Sequence, residues 1–259
     1  MTPSQSSELE GKVAIVTGAG SGIGFAIAEL FAANGAAVTI NFLGHGDDAT
    51  KLAETIEANG GKAAAIEADV SKREAVESLV ATTIEKFGRL DVLVNNAGIE
   101  KAQPLLEVDE ASWERTLAVD LKGPFLCLQA AARRMQKTGG SIVNISSIHE
   151  DFPFPGFTPY AVAKGGLRML MRNASLELAP YGIRVNNVAP GAIATPINAA
   201  TLADPVKLKR LQELVPLQRM GNAEEVAQVA LFLASDRASY VTGSTYYVDG
   251  GIVQHAEAL

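Results

Sequence analysis

The sequence predicts one doubly wound α/β domain, a parallel sheet of about seven strands with helices on both faces. Three observations carry this. Short β-branched runs alternate with Ala- and Leu-rich segments at helical spacing. The early strands are almost continuously apolar, as strands buried on both faces are. No Pro- or Ser-rich linker, compositional break or internal repeat divides the chain. Residues 1–10, "MTPSQSSELE", read as a flexible polar tail, and 11–259 as the single domain.

The elements follow in order. A strand over 13–17 leads through a glycine turn into a helix over 23–33. Strand 37–41 precedes helix 49–58, which "EANGGK" ends. Strand 63–68 precedes helix 73–87, and strand 92–95 precedes a long helix over 112–136. Strand 141–146 runs into a loop rich in Phe and Pro, then helix 160–178, closed by Pro180 and Gly182. Strand 184–189, helices 205–214 and 223–234, and strand 245–248 complete the alternation. The region 198–214 reads as a lid. Helices 112–136 and 160–178 carry more apolar surface than two-layer packing needs, so Leu167, Leu170 and Met171 are expected to face another subunit.

Composition narrows the function. Apolar residues make up 47% of the chain, enough for a large core without disulfide or metal support. Asp plus Glu outnumber Lys plus Arg by 29 to 22, which argues against a nucleic-acid partner. The single cysteine, Cys127, excludes an internal disulfide and reads as core. No metal site is expected. The polar start is unlike a signal peptide, and "VAQVALFLA" is far too short to span a bilayer. The expectation is a cytoplasmic protein with a small-molecule substrate and no membrane contact.

"VAIVTGAGSGIGFAIAELFAANG" reads as strand, turn and helix, with Gly18, Gly22 and Gly24 spaced G-x-x-x-G-x-G. Glycines let the backbone approach a pyrophosphate, and the helix N-terminus offers free N–H groups and a positive dipole end. An NAD-selective site usually has an acid after the second strand. Here "TINFLGHGDD" puts Phe42 and Leu43 at that tip, with neither acid nor cation, and Ser21 lies in the turn. This leaves NAD and NADP open and leans toward dual use.

Tyr160 and Lys164 are i and i+4 on one helix face, and Ser147 precedes Tyr160 by thirteen residues. A phenol with pKa near ~10 needs roughly 4 kcal/mol of help to become a base near pH 7. A cation about 4 Å away at an effective dielectric near 20 supplies about that much. The set suits general acid–base catalysis on an alcohol–carbonyl couple, with Ser147 bonding the substrate oxygen.

Together "TGAGSGIG", "NNAG", "SS" followed by "YAVAK", "PGAIATPI" and "YYVDGG" resemble the short-chain dehydrogenase/reductase family, in the family's order over residues 11–251. The resemblance implies a single Rossmann-type dinucleotide-binding and catalytic domain, NAD or NADP, and hydride transfer between nicotinamide and a substrate carbon. It gives Ser147, Tyr160 and Lys164 the roles of substrate-oxygen donor, acid–base and ribose-binding cation. The cofactor set it implies is Gly18, Ser21, Gly22, Ile23, Gly24, Phe42, Asp69, Val70, Asn95, Ala97, Gly98, Tyr160, Lys164, Pro190, Gly191, Ile193 and Thr195. It also implies a homotetramer with an ordered C-terminal segment, "GGIVQHAEAL". Asp120, in "VDLKG", departs from the Asn that many members carry there. In the family that residue holds a water through its backbone carbonyl, a role that survives the change. An ionised Asp120 would raise the pKa of Lys164.

Within the family, "NNAGIE", "SSIHE", "YAVAKGG" and "GAIATPINA" look most like bacterial glucose 1-dehydrogenases. That likeness makes Glu100, Ser147, His149, Glu150 and Asn198 the expected sugar contacts, with Phe152, Phe154 and Phe157 as an apolar wall. The alternatives are a 3-oxoacyl or broad ketone reductase on the same scaffold, and a cofactor-sensing binding protein without catalysis.

Overall fold

The structure is a computed structural model and describes residues 7–255. Seven parallel strands form one sheet in the order β3-β2-β1-β4-β5-β6-β7. They are β1 (Val13–Val16), β2 (Ala37–Phe42), β3 (Lys62–Glu67), β4 (Val92–Asn95), β5 (Gly140–Ile145), β6 (Ile183–Pro190) and β7 (Thr245–Val248). The order turns back between β1 and β4, so the crevice at their carboxyl ends is where a doubly wound sheet places its ligand.

Alternate residues of the central strands feed two cores. Ala14, Val16, Val92 and Val94 meet helices α1 (Gly22–Ala33), α2 (Asp47–Ala58) and α9 (Ala223–Ala234) through Ile27, Phe31, Leu52 and Val226. Ile15, Leu93 and Ile142 face α3 (Arg73–Phe87), α5 (Gly123–Met135) and α6 (Thr158–Leu178) through Leu79, Leu126 and Met171. The period of two along each strand is what divides them.

Three expectations change. The helix over 112–136 is broken into α4 (Glu110–Leu117), a turn of π-helix (Ala118–Lys122) and α5. Pro124 has no N–H to donate to the Asp120 carbonyl four residues back, so a regular helix cannot run through. Leu167 and Met171 are core residues at 0% and 1% exposure, and Leu170 is half-buried. The exposed apolar residues of α6 are instead Val162, Met169 and Leu176. Finally, the expected tail residue Leu9 is fully buried and its N–H donates to the Asn34 carbonyl, while Glu8 pairs with Arg237. Residues 1–6, and 256–259 of the expected C-terminal segment, lie outside the described residues. Cys127 is core, and burial pushes its thiol up to about 12. Among the described residues no helix is long and apolar enough to cross a membrane.

Between β6 and α9 lie α7 (Ala199–Leu202) and α8 (Pro205–Leu214), the region expected to act as a lid. Thr201 and Leu211 reach the cavity described next.

Candidate active site

A cavity of about 770 Å³ opens at the carboxyl ends of the strands. One end is the glycine turn, where Gly18, Ser21, Gly22 and Ile23 line it. Gly22 has φ +58°, and a Cβ there would sit 3.5 Å from Thr195 and narrow the cradle. The N-terminus of α1 has no side-chain cap and no acid in its first turn, which suits an anion. Gly24 does not line the cavity. A Cβ on it would lie 2.3 Å from Asn96 Nδ2 and 2.7 Å from the Gly18 carbonyl, so its task is close packing rather than contact with the cofactor.

The tip of β2 lies beside this turn. Phe42, Leu43, His45 and Asp48 line the cavity there, facing Asp69, Val70 and Arg115. Asn41 ties the region together: its Oδ1 accepts the Gly18 N–H at 3.3 Å, and its amide donates to the Ile66 and Ala68 carbonyls at 3.2 and 3.1 Å. Burial pushes the Asp69 carboxyl up, but two hydrogen bonds from Ser71, with Arg115 nearby, outweigh that and hold it below the usual range.

Asn95 departs from expectation. It is buried, does not line the cavity, and donates to Asn144 Oδ1 at 2.9 Å. The adjacent Asn96 lines the cavity instead, its amide donating to the Thr17 and Gly18 carbonyls at 2.8 and 3.0 Å. Asn95 ends β4 with its side chain taken by Asn144 of β5, whereas Asn96 stands just past the strand, at the crevice. Ala97 and Gly98 line the cavity as expected, as do Pro190, Gly191, Ile193 and Thr195.

The other end holds Ser147, Tyr160 and Lys164. Beyond β5, Ser147 starts a short 3₁₀ turn, its Oγ accepting the His149 N–H at 3.2 Å. α6 brings Tyr160 and Lys164 to the cavity one turn apart. Lys164 Nζ is buried 5.3 Å from the Tyr160 ring centre, donates to the Ile145 carbonyl at 3.2 Å, and lies 3.6 Å from Asp120 Oδ1. Asp120 is fully buried behind the cavity on the π-helical turn, and its oxygens accept the Ile99 N–H at 3.3 and 3.1 Å.

The charges here differ from the simple Tyr–Lys expectation. Burial pushes the Tyr160 phenol up, Lys164 pulls it down, and Asp120 and Glu100 push it up again; the balance lies above the usual value. A neighbouring cation alone therefore does not bring the phenol to 7. Burial works against the Lys164 ammonium, yet Tyr160, Asp120 and Glu100 together raise its pKa, as expected for an acid at position 120. Burial is also the first cause of the upward shifts of Asp120 and Glu100. The unit is one ammonium shared among three acids.

Of the expected sugar contacts, Glu100, Ser147, His149 and Asn198 line the cavity. The His149 ring packs on Phe154, Phe157 and Tyr160 with centres 5.1, 5.3 and 5.5 Å away. Burial, with Lys164 adding to it, pushes its pKa down to about 4, and its Nδ1 is buried without a partner. Asn198 gives its amide to the Ile193 carbonyl at 2.8 Å, so it also closes the loop after β6. Two expectations fail. Phe152 packs on Phe154 and does not line the cavity. Glu150 turns away from the cavity into the protein. Sequence reasoning missed Asn41, Asn96 and Arg115; the doubled Asn and a polar residue ending an apolar strand were the available signals.

Nearly the whole chain is matched by known proteins. A family model described as enoyl-(acyl carrier protein) reductase matches residues 18–253. The chain belongs to the short-chain dehydrogenase/reductase family. It is 44% identical to 3beta-hydroxysteroid dehydrogenase 1 of Eggerthella lenta over 95% of each chain. It is 42% identical to glucose 1-dehydrogenase 2 of Bacillus subtilis over 97% of this chain and 98% of the relative. Among solved structures, a gluconate 5-dehydrogenase from Burkholderia cenocepacia in complex with NADP and tartrate superposes with TM-score 0.91 at 35% identity, covering 96% of this chain and 98% of that one. The family binds NAD or NADP, and the open glycine cradle at Gly22 fits the pyrophosphate of either.

Proposed function

We propose that the protein oxidises an aldose, of the D-glucose type, at its anomeric carbon. The carrying observation is the cavity wall around Ser147 and Tyr160: Glu100 and Asn198 offer polar groups, while Phe154 and Phe157 offer an apolar face. A pyranose presents both kinds of surface.

The dinucleotide, held by the glycine turn, Asn96, Lys164 and the 190–195 loop, supplies the hydride acceptor when bound. The chain's own residues handle the rest. Ser147 bonds the substrate hydroxyl oxygen and orients it. Tyr160 takes the hydroxyl proton as the carbonyl forms. Lys164 stabilises the phenolate, and Asp120 holds Lys164. Neutral His149 walls the site and excludes water. Phe42 and Leu43 put no acid directly at the end of β2, which supports use of both dinucleotides.

Initial rates with a panel of aldoses, run with NAD and NADP in parallel, test this. Turnover of D-glucose or a close aldose is expected. No turnover with any aldose, alongside good activity on secondary alcohols, overturns it. That outcome is the second reading, a broad alcohol–ketone oxidoreductase, which Ile99, Ile148, Leu211 and Ile252 favour by making much of the lining apolar. The exposed Val162, Met169 and Leu176, with half-exposed Phe125 on α5, fit subunit contacts of a homotetramer; a monomer in sedimentation would reject the assembly.

A further inference from the structure

Glu150 was expected at the sugar, yet its side chain is fully enclosed on the far side of the turn that carries Ser147 and His149. Three donors are aimed at its carboxylate. The Ser146 hydroxyl and the Asn187 amide bond one oxygen, the latter at 2.9 Å, and the Thr245 hydroxyl bonds the other at 2.7 Å. Arg168 Nε, from α6, lies 3.5 Å from that second oxygen.

The carboxylate also ends a row of amides. Strand register sets Asn95 beside Asn144, Asn144 beside Asn187, and Asn187 beside Thr245, across β4, β5, β6 and β7. Asn95 Nδ2 donates to Asn144 Oδ1, Asn144 Nδ2 donates to Asn187 Oδ1, and Asn187 Nδ2 donates to Glu150 Oε2, each at 2.9 Å. All three asparagines are buried. Every amide in the row points the same way, so the last one needs an acceptor, and the Ser146 and Thr245 hydroxyls donate to the same group. A carboxylate offers two accepting oxygens to these three donors, where an amide offers one. In a dry interior an unsatisfied donor at the end of the row is costly, and bonds in a chain strengthen one another.

We propose that Glu150 is a positioning residue: its carboxylate locks the 146–150 turn onto β6 and β7 and so fixes Ser147 and His149 against the substrate. This rests on the reading of Ser147 and His149 as substrate-facing groups. No substrate contact by Glu150 is involved.

The test uses the full chain with Glu150→Gln, and the double variant Glu150→Gln with Asn187→Asp. In the double variant the new amide at position 150 donates to the new carboxylate at position 187, which still accepts from Asn144. The row is then completed again, with its acceptor moved by one place. Expected for the single variant is a fall of at least tenfold in kcat/KM for the alcohol substrate, with the dissociation constant for the dinucleotide within twofold of wild type. The double variant recovers a large part of that loss. Hydrogen exchange gives a readout independent of turnover. Peptides spanning 146–157 exchange faster in the single variant, while those spanning 13–33 are unchanged. Unchanged exchange at 146–157, no recovery in the double variant, or dinucleotide affinity falling in parallel with activity each overturn the proposal. If wild type turns over no alcohol at all, the function reading fails, and the exchange comparison still decides the role of Glu150.

Discussion

Lys164 Nζ stands 3.6 Å from Asp120 Oδ1, with both side chains almost sealed from solvent. Asp120 occupies a π-helical turn that Pro124 forces, and its carboxylate is held in place by the Ile99 N–H. The Tyr160 phenol therefore feels a fixed acid behind its cation.

That acid is expected to contribute to the pH dependence of the reaction. Burial is the main cause of the raised Tyr160 pKa; Asp120 and Glu100 add to it, and Lys164 opposes it. In Asp120→Asn one negative charge facing the phenol and ammonium is gone, while Glu100, Lys164 and, farther off, Arg115 remain. Loss of a nearby anion favours phenolate, so the rising limb of alcohol oxidation moves to lower pH. The measurement is kcat/KM against pH for both proteins. Coincident limbs would mean that Asp120 does not act on Tyr160.

Tyr160→Phe removes the proton acceptor and leaves the aromatic packing on His149. Positioned acid–base groups contribute about 10²–10⁴-fold, so a loss of that order in kcat is expected. Ser147→Ala removes a donor to the substrate oxygen, for about 10²-fold or more. Dinucleotide binding, read by fluorescence titration of the reduced form, stays close to wild type for Ser147→Ala. A Tyr160→Phe variant with full activity would place the chemistry elsewhere.

Much of this site was legible because its parts are local. The glycine turn and the Tyr160–Lys164 pair are set by spacing within one strand–helix unit or one helical turn. What escaped depends on partners far along the chain. Nothing in "NNAG" says which Asn faces the crevice until β4 is paired in register with β5. Glu150 looks like a loop acid until Asn187 and Thr245 arrive from β6 and β7. Helix α6 carries two apolar stripes, Leu167–Met171 and Val162–Met169–Leu176, and only the packed structure says which is core. The sheet itself was read nearly to the residue, since β4, β7, α3, α8 and α9 begin and end where the pattern of apolar residues put them.

The tip of β2 makes cofactor choice testable. Phe42 and Leu43 line the cavity near Asp69 and Arg115 without an acid directly at the tip. Phe42→Asp puts a carboxylate where it can hold a ribose hydroxyl and repel a 2′-phosphate. Activity with NADP is expected to fall at least tenfold while activity with NAD holds. Equal losses with both dinucleotides would mean that this tip does not touch the ribose.

His149 is a histidine that does not titrate near neutrality. Burial first, then Lys164, pushes it down to about 4, so it is neutral throughout pH 6–9. His149→Gln leaves a neutral polar group, so the pH limbs of kcat/KM stay in place above pH 5.5. The substrate KM rises severalfold as the ring contacts with Phe154 and Phe157 are lost. A limb near 6.5 that vanishes in the variant would show an exposed, protonating imidazole.

Far from the chemistry, α9 starts with a reciprocal cap: Asn222 Oδ1 accepts the Glu225 N–H at 2.8 Å, and Glu225 Oε2 accepts the Asn222 N–H at 2.9 Å. Arg219 holds both Glu225 oxygens, and these bonds keep the carboxyl down to about 2. Asn222→Ala removes one half of the cap and is expected to cost about 1 kcal/mol, lowering Tm by roughly 2–4 °C with kcat unchanged. The Glu225 contribution has its own pH signature. Its folded pKa lies below the unfolded value, so the stabilisation is complete above about pH 4.5 and drains away as pH falls toward 2. Between those limits the stability gap between wild type and Glu225→Gln should close on acidification, measured by chemical denaturation at stepped pH. A gap that stays constant from pH 6 to 3 would show that the charge on Glu225 plays no part in holding α9.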